Sequence, residues 1–244
     1  MDELIDVSWS DIAGWYDELL VAGSGPHEFA TALTLTLLPP VVGLDVLDLA
    51  CGQGMATRAI ADAGPRSIVG TDLTEEQIDR ARAHDDAQPR SIEYRVDDAR
   101  TLASFADGCV DVVSCQLGLM DIPDLELTLA AVHRVLRPGG RFVFVIGHPC
   151  FLAPDATTLQ GQDGRWGRFI GDYVVDRFWR SSNPNGVRRV GNHHRTLATY
   201  LNALTDAGFV LERVAEPPAT GRLADLQPEY GNLPIFLGVR ARRI

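Results

Sequence analysis

The chain has 244 residues, 45% of them hydrophobic, with a formal net charge of −11, enough to bury the core of one α/β domain with an elaboration and without a second domain. The acidic balance argues against a nucleic-acid partner, which would need a basic face, and because all 22 basic residues are arginine, lysine-based chemistry is excluded. No apolar run approaches the length of a bilayer, and the acidic start Met1-Asp2-Glu3-Leu4-Ile5-Asp6 is unlike a secretory signal, so a cytoplasmic protein with no membrane contact is expected.

From the N-terminus, Trp9, Ile12, Trp15, Tyr16 and Leu19 recur at helical spacing and predict an amphipathic helix over about residues 8–20. Phe29 to Leu38 reads as a helix ended by Pro39-Pro40. Val46 to Leu49 is a short apolar strand that carries one acid, Asp48, and runs through Ala50 and Cys51 into a turn with alternating Gly52 and Gly54. Glycine has no Cβ, so the main chain there can turn tightly and approach a ligand, and Met55 to Ala63 starts a helix whose free N–H groups face the same spot. Ser67 to Asp72 is a second strand, and Thr74-Glu75-Glu76-Gln77 is a capping-box pattern that opens a helix to about Asp85. Ile92 to Val96 and Val110 to Cys115 are the third and fourth strands. Pro123 opens a helix to Leu136, stopped by Gly139 and Gly140, and the continuous apolar run Phe142 to Ile146 suits a parallel strand buried on both faces. Gly147 to Asn192 is irregular; Thr196 to Ala207 is a helix closed by Gly208; Phe209 to Val214 and Ile235 to Arg240 are the last strands. Strands alternating with helices predict an α/β fold, a mainly parallel sheet with helices on both faces.

The acid at the end of the second strand, Asp72, suits a carboxylate accepting both hydroxyls of a ribose. A dinucleotide is disfavoured on two counts. Its fingerprint places Gly or Ala where this chain has Thr57, and Asp48 would repel a pyrophosphate at low local dielectric. A cationic ligand, such as S-adenosylmethionine with its sulfonium and ammonium groups, would be attracted instead.

Five ordered segments, Val46 to Gly54, Val69 to Leu73, Val96-Asp97-Asp98-Ala99, Val110 to Gln116 and Val135 to Phe142, resemble the class I S-adenosylmethionine-dependent methyltransferases, in particular the small-molecule group related to the ubiquinone and menaquinone biosynthesis enzymes. The resemblance covers roughly residues 40 to 150. It implies a Rossmann-like sheet whose last strand runs antiparallel, an N-terminal lid helix, and a substrate-capping insertion over about 147–192. It further implies S-adenosylmethionine as cofactor, with S-adenosylhomocysteine as product, in contact with Tyr16, Asp48, Ala50, Gly52, Gly54, Asp72, Leu73, Asp98, Ala99 and Gln116.

A sulfonium methyl is already activated, so the protein must align a nucleophile in line with the C–S bond, exclude water and, where needed, remove a proton. An oxygen or nitrogen of a small metabolite is the expected acceptor, carbon a less favoured one. The candidate bases are His148, directly after strand five, and His194, before the next helix; a turn-shaping and a helix-capping role are the respective alternatives. The insertion carries Phe151, Trp166, Phe169, Tyr173, Phe178 and Trp179. Its six arginines, Arg165, Arg168, Arg177, Arg180, Arg188 and Arg189, face four aspartates, Asp155, Asp163, Asp172 and Asp176. These groups could line a substrate site with an arginine clamp for a carboxylate or phosphate, or only pack the insertion down; Trp166, Tyr173 and Arg195 are the substrate candidates. Cys51, Cys109, Cys115 and Cys150 lack metal-ligand spacing and read as small buried residues. A nicotinamide-dependent oxidoreductase and a non-catalytic S-adenosylmethionine-binding module remain the alternatives. Monomer and homodimer are equally compatible with the sequence.

Overall fold

In the computed structural model, which describes residues 7–244, helix α1 (Trp9–Val21) starts at a reciprocal cap: the Asp11 N–H donates to Ser8 Oγ at 3.3 Å and the Ser8 N–H to Asp11 Oδ2 at 2.8 Å. The acidic start Met1 to Asp6, on which the expectation about a secretory signal rests, lies outside the described residues. Helix α2 (Gly25–Leu37) has Pro26 in its first turn, where the missing N–H costs nothing. Strand and helix then alternate: β1 (Asp45–Leu49), α3 (Met55–Ala61), β2 (Ser67–Asp72), α4 (Glu75–Ala87), β3 (Glu93–Val96), β4 (Val110–Gln116), α5 (Leu125–Val135) and β5 (Leu136–Gly147). After an insertion come α6 (Leu197–Asp206), β10 (Phe209–Ala215), α7 (Gly221–Leu226) and β11 (Phe236–Arg243).

Seven strands form one sheet in the order β10-β11-β5-β4-β1-β2-β3, with β11 antiparallel to both of its neighbours and the other pairs parallel. Along β5 the period of two divides the side chains between two cores. Phe142 and Phe144 pack with Leu129, Val132 and Tyr200 on the α5 and α6 side, while Val143 and Val145 pack with Leu33, Leu37 and Leu223 on the α2 and α7 side. Strand order reverses between β1 and β4, since the chain leaves β1 toward β2 on one side and returns to β4 on the other. That divergence opens a crevice beyond the carboxyl ends of the two strands.

Three elements depart from the expectations. The helix expected to Leu136 ends at Val135, and β5 begins at once, so Gly139 and Gly140 lie inside the strand rather than stopping the helix. The register against β4 slips there, Gly139 has φ +78°, and a Cβ on Gly140 would come within 2.9 Å of the Asp111 and Arg137 carbonyl oxygens. The insertion, expected to be irregular, contains two antiparallel hairpins: β6 (Thr157–Gln160) with β7 (Trp166–Phe169), and β8 (Arg177–Trp179) with β9 (Asn192–His194). Helix α7 had no counterpart in the periodicity. Of the cysteines only Cys115 is buried; Cys51, Cys109 and Cys150 are half-buried, and all four are free thiols.

Candidate active site at the switch point of the sheet

The crevice holds a cavity of about 250 Å³ walled by the ends of β1, β2 and β4, the loop after β3, and α1. Its floor is backbone. Ala50 (φ 53°) and Leu117 (φ 57°), just past β1 and β4, both take left-handed conformations, and Gly118 packs so tightly on Ala50 that a Cβ there would come within 2.5 Å of the Ala50 methyl. Gly52 has φ +54°, and a Cβ on it would meet no atom of the described residues within 4 Å, so its backbone faces open space. Gly54 does not line the cavity. It caps α3 with φ +82°, and a Cβ there would come within 2.5 Å of the Tyr94 hydroxyl, so it shapes the turn from behind.

Two carboxylates stand at this floor. Asp48 is 1% exposed; its Oδ2 accepts a hydrogen bond from Thr57 at 2.6 Å, while Oδ1 is buried with no partner. Burial pushes its pKa up to about 6, against the pull of the Thr57 and Ser114 hydroxyls. Thr57, which breaks the dinucleotide fingerprint, is thus the residue that holds Asp48. Asp72 accepts the N–H groups of Gly52 and Thr74, each at 2.9 Å, and burial raises its pKa against those bonds.

Around the rim stand Leu73, Asp98, Ala99, Gln116 and Tyr16. Arg100 binds the Asp98 carboxylate at 2.7 Å and holds its pKa down. Gln116 is fixed by α2, donating to Thr31 Oγ1 at 3.0 Å and accepting from Thr34 at 3.2 Å. Helix α1 closes the cavity with Trp9, Tyr16 and Leu20. It is tied to α4 by Ser10, which donates to Glu76 at 2.9 Å, and by Asp17, which pairs with His84 at 2.7 Å.

Several polar residues at the site were not singled out from the sequence. His27 lines the cavity and bridges Tyr16 and Ser24, with its Nε2 3.0 Å from the Tyr16 hydroxyl and its Nδ1 2.7 Å from Ser24 Oγ. Burial, and then the charge of Arg188, lower its pKa to about 4, so the ring is neutral, and burial keeps the Tyr16 phenol protonated far into the alkaline range. Asp121, in the loop after β4, lines the cavity and pairs with Arg188 at 2.9 Å. Burial raises its pKa to about 6 despite that partner. The signal for Asp121 was its place after strand four, on the ligand edge of the sheet; His27 had no signal beyond Pro26 at a helix start.

The candidate bases and substrate residues sit elsewhere. His148 is 1% exposed and lines neither this cavity nor the one beside it. Its Nδ1 accepts the Cys150 N–H at 3.2 Å, so Nε2 carries the proton and donates to Glu216 at 2.6 Å. His194 donates from Nε2 to the Tyr173 carbonyl at 2.8 Å, and the Tyr173 hydroxyl accepts the Leu197 N–H at 3.0 Å, capping α6. Arg195, 7% exposed, spends its guanidinium on the carbonyl oxygens of Leu119, Ile122 and Pro123 and so holds the loop that carries Asp121. Trp166 and Tyr173 line neither cavity, whereas His194 and Arg195 border the second, under the insertion.

Residues 47–144 match the methyltransferase domain family. A solved S-adenosylmethionine dependent methyltransferase from Mesorhizobium loti is 31% identical, with a TM-score of 0.73 over 91% of this chain and 100% of that one. The chain belongs to the S-adenosylmethionine-dependent methyltransferases. Among curated relatives, the demethylmenaquinone methyltransferase of Lactococcus lactis is 31% identical over 153 residues, 61% of this chain and 60% of that protein. The ubiquinone biosynthesis O-methyltransferase of Thiobacillus denitrificans is 35% identical over 105 residues, 43% of this chain and 45% of that protein. The chain thus spans less than two thirds of these two relatives.

The residues of this methyltransferase fit its cofactor. The open side of Gly52 admits a ligand against backbone, and the buried Asp48 carboxylate, with one oxygen that makes no hydrogen bond, suits a cationic one. Asp72 is held by two N–H groups with lone pairs to spare for hydroxyls. Among the described residues no helix is long and apolar enough to cross a membrane, and no group of His, Cys, Asp and Glu could hold a metal ion.

Proposed function

We propose that this enzyme methylates an oxygen or nitrogen atom of a small molecule, with Asp121 as the group that takes the proton. S-adenosylmethionine supplies a sulfonium-bound methyl group, which passes to the nucleophile as the C–S bond breaks and sulfur keeps the electron pair. The backbone at Ala50 and Gly52 would grip the donor, Asp72 its ribose, Leu73, Asp98 and Ala99 its adenine. Asp48, Gln116 and Tyr16 would border the amino-acid and methyl end. Gly54 supports the loop from behind.

The observation that carries the reading is Asp121: a carboxylate on the wall of the donor cavity whose pKa, about 6, suits a base near neutral pH. The transfer removes the positive charge of the sulfonium as a proton arrives on Asp121, so the site never holds an added net charge. Arg188 orients the carboxylate, and the neutral His27 orients the Tyr16 hydroxyl beside it. Helix α1 covers one side of the cavity with Trp9, Tyr16 and Leu20. His148 and His194, with both roles engaged in holding the turn after β5 and the start of α6, are assigned to the framework. The net charge of −11 and the quinone-related relatives support a small acceptor over a nucleic acid.

The test is incubation of the enzyme with methyl-labelled S-adenosylmethionine and pools of phenols, hydroxy acids and amines, with products resolved by mass spectrometry. A product carrying the label on oxygen or nitrogen, formed far more slowly by Asp121→Asn, is expected. Label found only on carbon, or an Asp121→Asn enzyme as fast as the parent, would overturn the assignment.

A further inference from the structure

Under the insertion lies a second cavity of about 460 Å³, which the methyl-transfer roles assigned above touch only through Arg188. Its lining is electrically one-sided. In a chain of net charge −11, four arginines (Arg168, Arg180, Arg188 and Arg195) face a single carboxylate, Asp155. Asp155 is itself drawn to Arg177, at 3.1 Å. Arg188 is held by Asp121 and Arg195 by three carbonyl oxygens, while Arg180 lies over the Phe178 ring at 5.1 Å.

Arg168 is different. One of its terminal nitrogens donates to Thr158 Oγ1 at 2.6 Å, its Nε is buried without a partner, and no carboxylate of the described residues pairs with it. The indole nitrogen of Trp179, also on this wall, is likewise buried without an acceptor. Guanidinium and indole N–H groups can only donate, and a buried donor left unmatched costs stability. Both therefore call for an acceptor, and the charge of Arg168 calls for an anionic one. The planar fork of a guanidinium matches the oxygens of a carboxylate or a phosphate.

The cavity also adjoins the donor site. Met120 and Arg188 line the second cavity while Asp121 lines the first, so the Asp121–Arg188 pair, 2.9 Å long, is the partition between them. We propose that the second cavity holds the anionic end of the methyl acceptor, a carboxylate or a phosphate group, with Arg168 and the Trp179 indole as its donors, while the nucleophilic end reaches past this partition toward the transferable methyl. The inference rests on methyl transfer at Asp121.

The experiment is a calorimetric titration of the full chain saturated with S-adenosylhomocysteine, using benzoate, phenyl phosphate and the uncharged benzamide. One of the two anions is expected to bind about tenfold or more tighter than benzamide, the better of them telling carboxylate from phosphate. Arg168→Gln is expected to abolish that preference and Trp179→Phe to reduce it, both with S-adenosylhomocysteine affinity unchanged. Equal binding of anions and amide, or a preference untouched in both variants, overturns the anion site while the donor cavity stands. Failure of S-adenosylhomocysteine to bind the parent chain overturns the donor-site reading, and this inference with it.

Discussion

The cavity at the switch point is framed by strand ends and backbone turns, whereas the cavity under the insertion is walled by the segment after β5, the two hairpins, the loop after β4 and α6. In the first, the geometry is imposed by the sheet: β1 and β4 diverge, the chain turns at Ala50, Gly52 and Leu117 in left-handed conformations few residues tolerate, and Gly118 leaves no room for a Cβ beside Ala50. In the second, the geometry depends on contacts between segments far apart in sequence, such as His193 N–H to the Met120 carbonyl at 2.7 Å and Arg195 to the carbonyls of residues 119–123. A site of the first kind suits a cofactor common to many enzymes, and one of the second kind can change with the acceptor while the sheet stays as it is.

The comparison breaks most sharply at Asp72. Asp72→Ala should weaken S-adenosylhomocysteine binding on the order of 100-fold, because the charge-assisted hydrogen bonds proposed for the ribose would be lost together with the anchor of the Gly52 and Thr74 N–H groups. Calorimetry reads the affinity and circular dichroism the fold, which should survive; unchanged affinity would place the ribose elsewhere.

Next comes Asp121 on the partition. Asp121→Asn should lower kcat on the order of 100-fold with little change in S-adenosylhomocysteine affinity. In the parent enzyme kcat should rise with pH through about 6, since only the ionised carboxylate accepts a proton. A flat profile from pH 5 to 8 would remove Asp121 from the proton path.

A smaller effect is expected at Asp48. Burial raises its pKa to about 6 in the folded chain from the ordinary 3.8, so the folded state holds this proton more tightly than the unfolded one. The stability contributed by this group is therefore full below 3.8 and is lost as pH rises through about 6. At pH 7 the ligand-free Asp48→Asn variant should melt above the parent, by about 2 kcal/mol in unfolding free energy, while binding S-adenosylmethionine more weakly. At pH 4 the difference in stability should vanish. A variant less stable than the parent at both pH values would contradict the raised pKa.

The least effect on turnover is expected at His148. His148→Ala should destabilise the fold by about 1–3 kcal/mol through the space left by the buried ring and the orphaned Cys150 N–H, with kcat almost unchanged. A large fall in kcat at normal stability would return His148 to the chemistry.

How far each region could be read from sequence follows from the same contrast. Gly52, Gly54 and Asp72 are local requirements of a turn and a strand end, so their spacing carries the signal, and the alternation of strands and helices carries the sheet. Gly139 and Gly140 mislead because a glycine pair that usually stops a helix here permits a bulge inside β5. His148 sits in the right place along the chain, yet Cys150 in the turn that follows and Glu216 just after β10 engage both of its nitrogens. His27 and Asp121 escape notice because their roles depend on partners far away, Tyr16 and Ser24 for one and Arg188 for the other. The hairpins of the insertion are short and poor in regular alternation, so nothing in the sequence shows that Arg168 and Trp179 meet at one cavity.

The division of labour between the two regions is tested most directly by calorimetric titration of S-adenosylhomocysteine into the parent, Asp72→Ala and Arg168→Gln chains. The predicted result is one site per chain, of unchanged affinity in Arg168→Gln and weakened on the order of 100-fold in Asp72→Ala. Binding that survives Asp72→Ala and disappears in Arg168→Gln would place the donor under the insertion and contradict the assignment of both cavities.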